Sequence, residues 1–338
     1  MSSPYDALLL VSFGGPEAKE DVLPFLENVL RGRNVPHERM LEVAEHYYQF
    51  DGVSPLNDQN RALLAVLEQE LDQYGPKLPI YWGNRNWHPL LTDTIRQMAE
   101  DGVKKALALV TSAFGSYSGC RQYQDDIEQS CQAVGEEAPQ IEKLRIFFNH
   151  PGFIEPVTER VEDALRDIPL ARRADVPIVF SAHSIPTAMA EGSPYVEQLN
   201  EAARLVSNAL GNKKWKLTYQ SRSGPASQPW LEPDICDYLR LLRLEGSAED
   251  VVVVPLGFLS DHMEVQYDLD VQAAELCDEI GLRLWRAKTV GTHPRFVRMI
   301  RELVEERISN DNLRLAVGKL PACADQCSVD CCKWFRTR

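Results

Sequence analysis

Eight short apolar runs, separated by stretches of helical periodicity, constrain this chain more than any other feature. They are Ala7–Phe13, Pro79–Trp82, Ala106–Thr111 and Leu144–Phe148 in the first half, and Val176–Phe180, Lys216–Tyr219, Val251–Val254 and Arg283–Trp285 in the second. Most are continuous rather than alternating, the pattern of strands buried on both faces. Between them, Val22, Phe25, Leu26, Val29 and Leu30 share one helical face, as do Leu63, Leu64, Leu67 and Leu71, and later Phe296, Val297, Ile300, Leu303 and Val304. Strands alternating with helices predict parallel sheets with helices on both sides. Four strands in each half predict two similar lobes, a division consistent with a length of 338 residues. The expected boundaries are a first lobe over 1–150, a second over 151–315 and a cysteine-rich tail over 316–338. A cleft between two such lobes suits a large flat ligand.

In an open parallel sheet, ligands bind in the crevice beyond the carboxyl ends of the strands. Two segments fall there. Ser181-Ala182-His183-Ser184-Ile185-Pro186 follows the Val176–Phe180 run, and Pro255-Leu256-Gly257-Phe258-Leu259-Ser260-Asp261-His262-Met263-Glu264 follows Val251–Val254. An imidazole and a carboxylate delivered from two strands can hold a divalent metal or move protons. His183 could instead cap the turn after its strand. Asp261 is the expected helix cap in the second segment, with Ser260 as a competitor, which leaves Glu264 for chemistry. Asp268 stands four residues on and shares a helical face with Glu264; it suits passage of a cation, or simply a solvated acidic face.

Two features invite misreading. Ser12-Phe13-Gly14-Gly15-Pro16 lacks the spacing of a dinucleotide loop, and its glycines are expected to let the backbone come close to a flat ligand. Arg31-Gly32-Arg33 either complements a helix C-terminus or recognises a carboxylate. A net charge of −14 argues against a nucleic-acid or anionic-membrane partner. There is no apolar run of transmembrane length and no signal-peptide pattern at the start of the sequence, which predicts a cytoplasmic protein.

Of eight cysteines, Cys323, Cys327, Cys331 and Cys332 crowd into the last sixteen residues. In a cytoplasmic protein such a cluster is expected to bind metal, as an iron–sulfur centre or as zinc. An adjacent pair cannot easily ligate together, so three tail cysteines with Cys120 form an alternative set.

Together these segments resemble the ferrochelatase family. The resemblance is carried by Phe13-Gly14-Gly15-Pro16, Arg31-Gly32-Arg33, Gly52-Val53-Ser54-Pro55, Gly83-Asn84-Arg85-Asn86-Trp87, Ser181-Ala182-His183-Ser184-Ile185-Pro186, Gln220-Ser221-Arg222-Ser223-Gly224-Pro225 and Ser260-Asp261-His262-Met263-Glu264, in family order over about residues 6 to 306. It implies the chelatase fold: two Rossmann-like lobes, each a four-stranded parallel sheet flanked by helices, with a porphyrin cleft between them. It implies insertion of Fe²⁺ into a free-base porphyrin with release of two protons, in haem biosynthesis. His183 and Glu264 match the family's histidine and glutamate, as metal ligands, proton acceptors or both. Phe13, Arg31, Ser54 and Tyr123 match porphyrin-binding positions, with Ser54 and Tyr123 reaching propionates. Phe13 departs from a tyrosine found in the best-known monofunctional bacterial members, and His46 and Leu30 replace arginines.

The tail is similar to that of members carrying a [2Fe–2S] cluster, with Cys120 as the internal partner; a structural zinc is the lesser alternative. The overall look is closest to actinobacterial sequences, which implies coproporphyrin III as the substrate, with protoporphyrin IX as the other choice. Transient contact with neighbouring enzymes of the haem pathway is implied as well. Two rival readings are a cobalt or nickel chelatase acting on sirohydrochlorin, and a haem-binding redox sensor without turnover.

Overall fold

The continuous apolar runs become the central strands of two parallel sheets. The structure is a computed structural model that describes residues 3–32, 35–173, 175–225, 227–246, 248–309, 313–328 and 330–334; Arg33 lies outside the described residues. By contacts the chain divides into two compact units. The first comprises Met1–Thr111, Gln122–Leu144 and Ile300–Asn312; the second comprises Ser112–Arg121, Arg145–Met299 and Leu313–Arg338.

The first unit runs β1 (Ala7–Ser12), α1 (Val22–Leu30), α2 (His37–Tyr48), α3 (Leu56–Tyr74), β2 (Ile80–Asn84), α4 (Leu91–Glu100), β3 (Lys105–Val110), α5 (Gln122–Val134) and β4 (Gln140–Lys143). Its sheet has the order β2-β1-β3-β4, all parallel. Every residue of β1 is buried. Leu9, Val11, Ala106 and Val110 pack on Leu91, Ile95 and Met98 of α4 and on Tyr123 and Ile127 of α5. The apolar faces of α4 and α5 thus close over the sheet.

The second unit continues with α6 (Pro151–Arg166), α7 (Leu170–Arg173), β5 (Ile178–His183), α8 (Thr187–Glu191), α9 (Tyr195–Ala209), β6 (Trp215–Gln220), α10 (Ile235–Leu244), β7 (Asp250–Val254), α11 (Met263–Val265), α12 (Ala274–Ile280) and β8 (Arg283–Arg286). Between α11 and α12, Gln266–Ala273 winds as π-helix, so Met263–Ile280 is one helical run with an expanded middle. The sheet order is β6-β5-β7-β8, again all parallel. A core of Val179, Leu239, Val251, Val253, Val265, Leu269, Ala273 and Leu276 seals the helices onto it. The helix α13 (Pro294–Ile308) closes the regular structure.

The predicted fold class is borne out, with one strand displaced. The apolar run Leu144–Phe148 is not the fourth strand; the less apolar Gln140–Lys143 pairs with Lys105–Ala108 instead. β4 is an edge strand, half-exposed along its length, so it needs no continuous apolar sequence. Phe147 and Phe148 are nonetheless buried. Phe147 stacks edge-on against Phe153 and Phe296, each with centroids 6.0 Å away. Aromatic packing, not sheet pairing, buries that run.

Candidate active site

In both sheets the chain winds outward in opposite directions from a central pair, β1/β3 and β5/β7. Beyond the carboxyl ends of such a pair the connections diverge and leave room for a ligand. His183 is the last residue of β5 and Glu264 lies in the connection after β7.

The chain between Val254 and Glu264 reaches His183 because residue 257 is glycine. The Gly257 N–H donates to the Ser181 carbonyl at 3.0 Å. A Cβ there would stand 2.7 Å from the Cβ of Ala182, so any side chain would push the connection off the end of β5. The carboxylate of Glu264 then lies 3.7 Å from His183 Nε2. At the other side of the ring, Nδ1 is 2.5 Å from the Ser184 carbonyl oxygen. A carbonyl only accepts, so Nδ1 carries the proton and Nε2 faces Glu264 as the metal- or proton-binding atom. Tyr195 fixes the backbone by donating its hydroxyl to the His183 carbonyl at 3.0 Å.

Burial opposes the charge on His183, but the Glu264 carboxylate 3.7 Å away, the Ser184 carbonyl and Asp268 outweigh it and raise the imidazole to about 9. Burial likewise works against ionised Glu264, and the His183 cation beside it overrides that and brings the carboxyl down to about 2. The side chains retain 34% and 47% exposure, so solvent tempers this coupling without reversing its sign. At neutral pH the resting pair is imidazolium and carboxylate.

Asp268 sits one π-helical step further. Burial, reinforced by Glu264, lifts its carboxyl to about 6 against hydrogen bonds from Ser221 and Gln220. Gln220 organises the whole group. It pairs with His183 in the sheet register. Its amide donates to the Glu264 carbonyl at 3.1 Å and to Asp268 Oδ2 at 3.2 Å, and its oxygen accepts from Ser181 at 2.6 Å. Sequence alone assigns Gln220 no role, although a signal is there: a polar residue at the end of a strand whose last four residues are buried. Beyond Asp268 opens a cavity of about 270 Å³ lined by Gln220, Ser221, Asp234, Cys236 and Gln272 among others.

Asp261 does not cap α11 as expected. Arg286 takes its carboxylate at 2.7 Å. His262 caps instead, its Nδ1 accepting the Glu264 N–H at 3.2 Å. Burial lowers its pKa, as suits a neutral acceptor.

In the first unit, Phe13 follows β1 and meets Phe25 edge-on at 6.2 Å. Arg85, to which sequence alone assigns no role, holds its guanidinium 5.7 Å from the Phe13 ring and 4.6 Å from the Tyr123 ring, and pairs with Asp126. Ser54 is buried under Gly15, where a Cβ would come within 2.8 Å of its hydroxyl. The close approach that this glycine permits is therefore to Ser54, a contact internal to the protein. Arg31 ends α1 on the surface, its guanidinium bonded to Asn28.

None of the eight cysteines forms a disulfide. Burial raises the Cys323 thiol to about 11; Arg145 opposes this, and Cys120 and Cys331 lie close enough to add to it. Cys332 is pushed up by burial and then by Cys331, Cys120 and Cys327. The sulfurs of Cys331 and Cys332 are 3.6 Å apart. The five thiols form one electrostatic neighbourhood, a donor set chemically fitted to an iron–sulfur cluster. Among the described residues, no group of three or more His, Cys, Asp or Glu side chains is set to hold a metal ion. No helix among them is long and apolar enough to cross a membrane.

The fold is that of metal chelatases. The sirohydrochlorin chelatase SirB from Bacillus subtilis, solved with Fe³⁺, superposes with a TM-score of 0.57 at 12% identity over 92% of this chain and 98% of its own. The SirB complex with cobalt gives a TM-score of 0.54 at the same identity and coverage. Sequence is more specific. The family described as Ferrochelatase matches residues 5–308. A ferrochelatase from Rhodopirellula baltica is 55% identical over 99% of this chain and 95% of its own. A coproporphyrin III ferrochelatase from Streptomyces coelicolor is 49% identical over 98% and 94%, and one from Mycolicibacterium smegmatis 46% over 96% of each. The chain belongs to the ferrochelatase family.

Proposed function

We propose that this chain inserts Fe²⁺ into coproporphyrin III and that His183 and Glu264 carry the reaction. The observation that supports the assignment is the imidazole Nε2, oriented by the Ser184 carbonyl and facing a carboxylate 3.7 Å away. Fe²⁺ displaces the Nε2 proton, and the neutral imidazole and the carboxylate hold the ion. When the metal moves into the macrocycle, the two pyrrole N–H protons pass to the two bases it leaves. His183 returns to imidazolium. Glu264, far too acidic to keep its proton, passes it on through Asp268, whose carboxyl near 6 suits a relay at neutral pH. The balance is Fe²⁺ plus the free-base porphyrin giving the iron porphyrin and two protons. The cavity beyond Asp268 supports the reading of that side as the metal path.

Ser54, Tyr123, Phe13 and Arg31 belong to porphyrin binding in this reading. Arg85 orients two of them by lying against the Phe13 and Tyr123 rings. The preference for coproporphyrin III is supported by the named activity of the Streptomyces and Mycolicibacterium relatives. Residues 316–338 act as the tail, and the two lobes follow the contact division rather than a cut at residue 150, with Ser112–Arg121 in the second unit and Ile300–Asn312 in the first. Cys120 with three of Cys323, Cys327, Cys331 and Cys332 holds a [2Fe–2S] cluster, supported by the thiolate donor chemistry of the set and by the electrostatic influence of Cys120, Cys327 and Cys331 on Cys323 and Cys332. Such a group supplies a one-electron redox couple. The setting is cytoplasmic, with transient contact to neighbouring haem-pathway enzymes.

The test is anaerobic Fe²⁺ insertion followed by absorbance, with coproporphyrin III and protoporphyrin IX offered separately. Turnover favouring coproporphyrin III is expected. Equal or reversed preference would overturn the substrate, and porphyrin binding without turnover would overturn the reaction.

A further inference from the structure

Four buried polar side chains grip the chain as it enters the cysteine tail. Arg145 donates to the Leu315 carbonyl at 2.9 Å, and Asn149 to the Leu320 carbonyl at 2.8 Å. Glu201 accepts the Lys319 N–H at 2.6 Å. The fourth, Gln198, does something the others do not. Its Oε1 accepts the Gly115 N–H at 2.7 Å, in the loop that leads to Cys120. Its Nε2 points to Cys323 Sγ at 3.5 Å. The amide orientation is forced: a backbone N–H only donates, so the oxygen must face Gly115 and the N–H must face sulfur. Gln198 is 5% exposed, so water competes poorly for either bond.

We propose that Gln198 is the positioning residue of the cysteine centre. Its carboxamide ties the Cys120 loop to the tail, and its N–H, aimed at Cys323 sulfur, raises the reduction potential of the cluster held there. This rests on the cluster reading given above. A cluster gains negative charge on reduction, and a donor to a ligating sulfur stabilises that charge.

The experiment uses the full chain purified without oxygen. Iron and acid-labile sulfide are counted, and the midpoint potential is read by mediated titration followed by electron paramagnetic resonance. Gln198→Leu removes both hydrogen bonds; Gln198→Glu keeps an acceptor for Gly115 and removes the donor. Both are expected to move the one-electron equilibrium roughly tenfold toward the oxidised form, which is a fall of about 59 mV. Gln198→Leu should also shed its cluster faster. Glu201→Leu, which removes the acceptor for the Lys319 N–H and so loosens the tail away from the sulfurs, should leave the potential in place. An unchanged potential in both Gln198 variants with the cluster intact would overturn the role of Gln198 and leave the cluster standing. An equal fall in Glu201→Leu would also overturn it, by assigning the effect to tail loosening. Wild-type protein without iron and sulfide would overturn the cluster, and this proposal with it. If Gln198→Leu does not fold, the potential of Gln198→Glu decides.

Discussion

The sheets β2-β1-β3-β4 and β6-β5-β7-β8 share one topology, but their central strands end in different chemistry. Beyond β1 come Phe13, a glycine pressed on Ser54, and Arg85 lying against two aromatic rings. Beyond β5 and β7 come His183, Glu264 and Asp268, coupled strongly enough to move one another's protons. The same backbone frame thus ends in aromatic rings and a paired arginine in one unit and in titrating groups in the other. The comparison teaches that the frame supplies the place, while a few residues at strand ends decide what happens there.

The sharpest way to break this division is to remove the titrating pair. Since His183 and Glu264 face each other across 3.7 Å, His183→Ala and Glu264→Ala are each expected to cut iron insertion by roughly 10³-fold or more. Porphyrin binding, followed by fluorescence quenching, should survive. Near-normal turnover in either variant would remove that residue from the reaction.

The next test is pH. With His183 raised to about 9, a metal ion binding Nε2 below that pH must expel a proton. Affinity for Co²⁺, used as a spectroscopic probe, is therefore expected to rise about tenfold per pH unit from 6 toward 9 and to level off above. Glu264, near 2, contributes no slope in that window. A flat profile between pH 6 and 8 would mean the imidazole rests neutral.

Two glycines sharpen the comparison further, because both exclude a Cβ through close contact. Gly257→Ala meets Ala182 and is expected to lower kcat roughly 10²-fold by displacing Glu264. Gly15→Ala meets Ser54 and is expected to raise the porphyrin KM while kcat stays within a few-fold. If both variants shifted the same constant, the two ends would not divide the work. The smallest effect belongs to Ser54→Ala. Loss of one hydrogen bond to a propionate should raise the coproporphyrin III KM about fivefold; an unchanged KM would take Ser54 out of substrate recognition.

Much of this arrangement was legible in the sequence because burial on both faces leaves continuous apolar runs, and β1, β5 and β7 have them. His183 and Glu264 could be read as a candidate pair because each interrupts or follows such a run. Edge strands leave no such mark, and so Gln140–Lys143 was missed in favour of the apolar Leu144–Phe148. Long-range partners leave none either. Asp261 looked like the better cap until Arg286, 25 residues on, engaged it. Gln220 organises the site through three bonds to residues 39 to 48 positions away. The reason for Gly15 lies in Ser54, which local sequence does not announce.

The expanded middle of the helix that carries Glu264 has a consequence for how such a chain tolerates change. A π segment bonds i to i+5 where an α-helix bonds i to i+4, so it holds more residues than the same length of α-helix. Leu269 and Leu276 key this helix into the core, and Glu264 projects from its start. Deleting one residue within Gln266–Ala273 would return the run to α-helix and re-aim the residues of the expanded turn, Asp268 among them, relative to Glu264 and those anchors. Substitutions can drift on this helix while the site survives. A change in its length cannot, which makes the residue count between residues 264 and 276 a stricter inheritance than the letters that fill it.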